Sequence, residues 1–165
     1  MNGIAIWGPT AIVVAVAMEG WAALLHRFVW HGILWSVHRS HHEARRGRFE
    51  RNDFLSALHA PVAIALILYG CRAQESLLRD LVFGVGLGMT IFGISYALVH
   101  DGFSHRRAPV RFLRRFRYFR AVALAHAIHH QGKHGQAPFG FFLAPLLRKQ
   151  RPEALMSYPP SPEQP

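Results

Sequence analysis

Twelve histidines stand among the 165 residues of the chain, and ten of them follow one order. His26 and His31 form an H-x4-H pair, and His38, His41 and His42 form an H-x2-H-H run. His100 with His105 repeats the first spacing, and His126 with His129 and His130 repeats the second. The residues between do not repeat. On an α-helix, positions three and four apart share a face, so each H-x2-H-H run can aim its rings at one point. Imidazole suits iron, zinc, copper and nickel. Ten such ligands are too many for one ion and about right for two ions of five- or six-fold coordination, whereas a single zinc takes about four. The spacing therefore points to two metals on nitrogen ligands, an oxygen-activating iron pair, with zinc as the ion that could replace iron in a purified sample. The single cysteine, Cys71, excludes an internal disulfide framework, an iron–sulfur cluster and a cysteine-rich zinc site. His59 and His134 lie outside the pattern and read as hydrogen-bonded or interfacial residues rather than ligands.

The elements that must carry these rings are apolar. Gly3 to Leu25 contains one formal charge, Glu19, and neither Phe54 to Cys71 nor Leu81 to Val99 contains any. Each run is close to the roughly 20 residues that cross a bilayer core as a helix. A soluble domain this small could hardly bury three such helices on every side. The expected fold is an all-α integral membrane protein with three transmembrane helices and a histidine-rich cap at one membrane face. The first run has no basic residue before it, the first being Arg27, so it reads as a retained span rather than a signal peptide. Were residues 26–42 one straight helix, His26 and His42 would lie about 24 Å apart along its axis. The chain must bend between His31 and His38, and Gly32 is the place for it. Pro109 can serve the other half in the same way.

Lys and Arg total 19 against nine Asp and Glu, a formal charge of +10, yet 51% of residues are hydrophobic. A soluble nucleic-acid-binding domain would be more polar. The charge reads instead as topology. Three spans put seventeen of the 19 basic residues on one side, which places the N-terminus outside and the histidines and C-terminus in the cytoplasm. Seven arginines between Arg106 and Arg120 suit a membrane surface rich in anionic lipid, or the docking of an acidic electron carrier. Residues 139–147 are too short to span and could dip into the membrane interface. The stretch 148–165, with five prolines, reads as a disordered tail.

Around the histidines, Asp101 is placed to orient the imidazole of His100 through its second ring nitrogen. Glu43 and Asp53 fit the same role less well than that of solvated surface charge. Glu19, inside an apolar span, is the kind of membrane carboxylate that is paired or functional, and it is a candidate near the site or against a neighbouring helix. Gly84, Gly86, Gly88 and Gly93 permit close helix approach or leave room for a long substrate. Trp30, Trp35, Phe92 and Tyr96 read mainly as packing and interfacial aromatics.

These residues carry a resemblance. The chain resembles the fatty acid hydroxylase/desaturase superfamily of membrane di-iron enzymes and, within it, is similar to the bacterial β-carotene 3-hydroxylase family. The likeness runs through Met18-Glu19, His26-Arg27, His31-Gly32, Ser40-His41-His42-Glu43, Asn52-Asp53, Gly88-Met89-Thr90, His100-Asp101-Gly102, His129-His130 and Phe139-Gly140-Phe141. It covers roughly residues 15–147, and the ten histidines show no departure from it. It implies a single hydroxylase domain over 1–147 that oxidises C3 of a carotenoid β-ring with O2. β-Carotene would pass through β-cryptoxanthin to zeaxanthin, and keto-carotenoids could pass toward astaxanthin. The implied partners are two irons, a carotenoid, membrane lipid and an electron donor such as reduced ferredoxin, in the bacterial inner membrane. Other oxidations of the superfamily remain open, among them lipid hydroxylation, desaturation and ketolation. So does a non-enzymatic membrane metal protein. Clustering of the histidines at one face favours the enzyme over a transporter, whose ligands would sit near the midplane.

Overall fold

A computed structural model describes residues 3–43, 47, 49–131 and 137–147. His134, the arginines at 45, 46 and 48, and the stretch 148–165 lie outside the described residues. No strand occurs among the described residues. Helix α1 (Ile4–Leu24) continues into a π-helical turn, Leu25–Ile33. Helices α2 (Trp35–His42), α3 (Asp53–Ala57), α4 (His59–Arg72) and α5 (Leu77–Tyr96) follow. A second π-helical turn, Ala97–Ser104, extends α5. A 3-10 turn (Arg111–Arg115), α6 (Arg117–His129) and the short α7 (Ala144–Leu147) complete the order.

Three helical stretches, Ile4–Ile33, Asp53–Arg72 and Leu77–Ser104, are long and apolar enough to cross a membrane, as expected from the sequence. Only 11–22% of their most apolar windows is buried within the protein. Side chains such as Ile12, Val16, Ile64 and Ile94 point outward, each more than half exposed. Apolar surface of that extent needs lipid against it. Pro61 falls in the first turn of α4, where its missing N–H costs the helix nothing. The Ser76 hydroxyl accepts the Arg79 N–H (3.1 Å) at the start of α5.

The chain divides into two compact units, and each is described by itself. The first takes the described parts of Met1–Trp21 and Ser36–Ser95. There α5 approaches α1 through glycine. A Cβ on Gly84 would stand 2.8 Å from the Trp7 carbonyl oxygen, and one on Gly88 would stand 2.5 Å from that of Ala11. Gly86 presses against Ala63 and Leu66 of α4 in the same way. These glycines therefore serve helix packing, the first of the two roles open to them. Gly88→Leu is expected to part α1 from α5 and to lower thermal stability by about 1–3 kcal/mol, read as a lower melting temperature in lipid nanodiscs. Gly93→Leu, where an added Cβ meets nothing within 4 Å, is the matched control. Trp21 also lies in this unit and donates its indole N–H to His59 Nε2 at 2.9 Å, which accounts for the histidine of the second span as a hydrogen-bonded residue. Glu19 is buried on α1, 5% exposed.

The second unit takes Ala22–Trp35 and the described part of Tyr96–Pro165. Its core joins Val99, Phe103, Leu113, Val122, Ala123 and Phe141. Gly32 leaves helical geometry (φ −100°, ψ −113°), so the bend expected there is present. Residues 137–143 fold back over the unit, Tyr118 donating its hydroxyl to the Phe142 carbonyl at 2.9 Å.

Candidate metal centre

The H-x4-H pairs belong to the two π-helical turns, His105 capping the second, and the geometry explains their spacing. On an α-helix of 3.6 residues per turn, positions five apart point about 140° away from each other. In a π-helix the backbone bonds run from i to i+5, which stacks those positions. The Leu34 N–H donates to the Val29 carbonyl (2.8 Å) and the His105 N–H to the His100 carbonyl (3.0 Å), both i to i+5. His26 and His31 are thereby brought together, their Nε2 atoms 3.1 Å apart. His100 and His105 have ring centroids 4.8 Å apart.

Within the second unit the rings form two groups. His31 Nε2 also lies 3.1 Å from His129 Nε2, so His26, His31 and His129 share one point. Donor atoms of His105, His126 and His130 converge likewise, with His105 and His126 Nε2 2.7 Å apart. His100 packs edge-on beside this second group, 4.5 Å from the His126 centroid. The two groups adjoin along α6, where the His126 and His129 ring centroids lie 6.0 Å apart with 25° between planes. Donors at right angles on an ion with metal–nitrogen bonds of about 2.1 Å lie about 3.0 Å apart. The separations therefore fit adjacent ligands on a metal, and the all-imidazole donor set fits iron, zinc or copper.

In the first unit, α2 turns His38, His41 and His42 together, with ring centroids 5.0 Å apart for His38 and His42 and 5.7 Å for His38 and His41. His38 is 1% exposed, as is His129, and His100 is 2% exposed. Polar rings buried that deeply require partners.

Among the described residues, the rings of His26, His38, His41 and His100 have their second nitrogen held by oxygen. His26 Nδ1–H donates to the Phe139 carbonyl (2.9 Å) and His38 Nδ1–H to Asn52 Oδ1 (2.7 Å). His41 Nδ1–H donates to Glu50 (3.1 Å) and His100 Nδ1–H to Asp101 (2.7 Å). Carbonyl and ionised carboxylate oxygens only accept, so the proton sits on Nδ1 and the Nε2 lone pair is left for a metal. Asp101 thus contacts the ring it was expected to orient. Asp53 accepts the Glu50 backbone N–H (2.9 Å) and so braces the residue that holds His41. Glu43 pairs with Arg39 at the surface, both more than half exposed, which is the solvated-charge role.

Glu50, Asn52 and the Phe139 carbonyl escape sequence reasoning as partners of these rings. Two are polar residues nine and 14 positions past their histidines, and the third is a backbone group that any residue type supplies. The aromatics do more than line the membrane. Trp35 stacks on His31 (5.2 Å between centroids, 28° between planes) and Tyr96 stacks on His100 (4.4 Å, 19°). Phe139 packs edge-on against all three rings of the first group, and Phe141 against His100 and His126. Residues 139–141 thereby close over rings of this unit, while Leu143 and Leu146 remain exposed.

Residues 11–146 match the fatty acid hydroxylase family. Over 135 residues the chain is 46% identical to a protein from Gentiana lutea named beta-carotene 3-hydroxylase, chloroplastic, covering 82% of this chain and 42% of that one. It is 38% identical over 162 residues to a protein of the same name from Haematococcus lacustris, covering 93% of this chain and 50% of that one. With a beta-carotene hydroxylase from Pantoea ananas it shares 41% identity over 147 residues, 87% of this chain and 81% of that one. The chain spans about half the length of the plant and algal relatives, or less, and most of the bacterial one. No solved structure matches it significantly.

Proposed function

The chain belongs to the fatty acid hydroxylase family, and from that premise we propose that it hydroxylates C3 of carotenoid β-rings with O2, taking β-carotene through β-cryptoxanthin to zeaxanthin and accepting keto-carotenoids toward astaxanthin. The observation that carries the reading is the pair of all-histidine groups, in which H-x4-H rings from the π-helical turns that extend apolar helices meet rings from the end of α6. The proposed ligands are His26, His31, His38, His41, His42, His100, His105, His126, His129 and His130, for two iron ions. Bound there, iron supplies the oxygen chemistry that an unactivated ring C–H bond requires and that acid–base side chains lack. The chain's own part is to hold the imidazoles in one tautomer through Phe139, Asn52, Glu50 and Asp101, and to keep water away with Trp35, Tyr96, Phe139 and Phe141.

The arginine distribution supports a bacterial inner-membrane location with the N-terminus outside and the histidines cytoplasmic. The proposed electron donor is a small acidic protein of the ferredoxin type, docking on the exposed Arg111, Arg114, Arg115 and Arg117. Turnover at low donor concentration should then fall steeply with added salt and recover at saturating donor. Salt-independent turnover would remove this donor site.

Expression in a bacterial host that accumulates β-carotene tests the reaction. Chromatography of the pigments should show β-cryptoxanthin and zeaxanthin with the intact chain and neither with a His129→Ala, His130→Ala variant. Unchanged β-carotene, with intact protein in the membrane, would defeat the carotenoid reading and favour a lipid substrate.

A further inference from the structure

Two rings of the second unit, His26 in the first histidine group and His100 beside the second, differ in the charge of what stands behind them. In the group of His26, His31 and His129, the Nδ1 proton of His26 goes to a neutral acceptor, the Phe139 carbonyl. Beside the group of His105, His126 and His130, the Nδ1 proton of His100 goes to a carboxylate, Asp101, and over a shorter distance, 2.7 Å against 2.9 Å. Arg107 Nη1 stands 3.8 Å from the same carboxylate oxygen, within ion-pair reach. It helps to seat the carboxylate, which keeps its short contact with the imidazole N–H. The turn is built for this placement. Arg106 adopts a positive φ of 55°, and the Arg107 backbone N–H returns to the Asp101 carbonyl at 2.9 Å.

A carboxylate behind an imidazole draws on its N–H and makes the opposite nitrogen a stronger donor, and its negative charge adds attraction for a cation. A backbone carbonyl does so only as a dipole. We infer that the two metal positions are inequivalent: the one served by His100, His105, His126 and His130 binds its divalent ion more tightly and fills first, with Asp101 as the positioning residue responsible, and the one served by His26, His31 and His129 fills second. This rests on the two-metal reading above.

Titration of the metal-free protein in nanodiscs with Co2+, followed by visible absorption and chelator competition, tests it. The wild type should take two ions in two resolved steps. His130→Ala should remove the tight step and His31→Ala the weak one. Asp101→Asn keeps an oxygen acceptor and deletes the charge, so it should weaken the tight step by about 10–100-fold. The weak step should stay in place, which also reports that the fold is intact, and Asp101→Glu should restore part of the loss. Two equal steps in the wild type, or an Asp101→Asn variant that shifts neither step or shifts the weak one, would overturn the inference while leaving two metals standing. Uptake of one ion or none would overturn the two-metal reading and this inference with it.

Discussion

Replacing His129 with alanine is expected to cut ring hydroxylation by on the order of 10³-fold or more, beyond the 10–100-fold that loss of a partner behind a ligand costs. His129 is 1% exposed, its Nε2 lies 3.1 Å from that of His31, and its ring borders His26, His130 and Phe139. Removing it takes a donor from the His26–His31 group and opens a gap where α6 adjoins the second group. His59→Gln is the contrasting substitution. His59 accepts the Trp21 N–H, a glutamine oxygen can accept it as well, and activity should stay close to the parent. Product formation in membranes, normalised to protein present, measures both. Equal losses in the two variants would mean that the pattern does not mark the ligands.

Asn52→Leu is expected to have the second largest effect although Asn52 is no ligand. Asn52 is 2% exposed and accepts the His38 Nδ1 proton at 2.7 Å. Its own backbone N–H donates to Ser40 Oγ (3.1 Å), and the Ser40 hydroxyl donates to the Val37 carbonyl (2.8 Å). Leucine preserves the volume and removes the acceptor. A buried N–H is then left without its oxygen, at about 1–3 kcal/mol, and the ring loses what holds its tautomer. The melting temperature should fall by about 2–4 °C per kcal/mol at this chain length, and metal retention against a chelator should fall about 10–100-fold. Asn52→Asp keeps the acceptor oxygen and should retain metal like the parent. If both variants lose metal alike, Asn52 acts through packing alone.

Much of this architecture is legible in the residues. Runs with at most one charge announce the three long helices, because a helix apolar on nearly every side has no other stable surroundings at this size. The need to bring His26 and His42 near one another points to a bend, and the chain leaves helical geometry at Gly32. The H-x2-H-H runs announce their own geometry through the α-helical period. The H-x4-H pairs do not. Read at 3.6 residues per turn their rings diverge, and only the i to i+5 bonding of the π-helical turns makes them neighbours. No local residue preference marks those turns. Asp101 is legible because it is adjacent in sequence to the ring it holds. Glu50 and Asn52 reach their histidines across a turn, and the Phe139 carbonyl reaches His26 over 113 positions, so those contacts follow from tertiary packing alone. Gly84, Gly86 and Gly88 illustrate the converse. Their residue types announce a purpose, and packing selects it, as when Gly84 and Gly88 bring α5 onto the backbone of α1.

The central claim is that ten histidines hold two irons. Iron content and Mössbauer spectra of the anaerobically 57Fe-loaded protein in nanodiscs address it most directly. Two irons per chain in nitrogen-rich sites are expected, with a His126→Ala, His129→Ala variant unable to hold the pair. A single iron per chain, or two that persist in the variant, would contradict it.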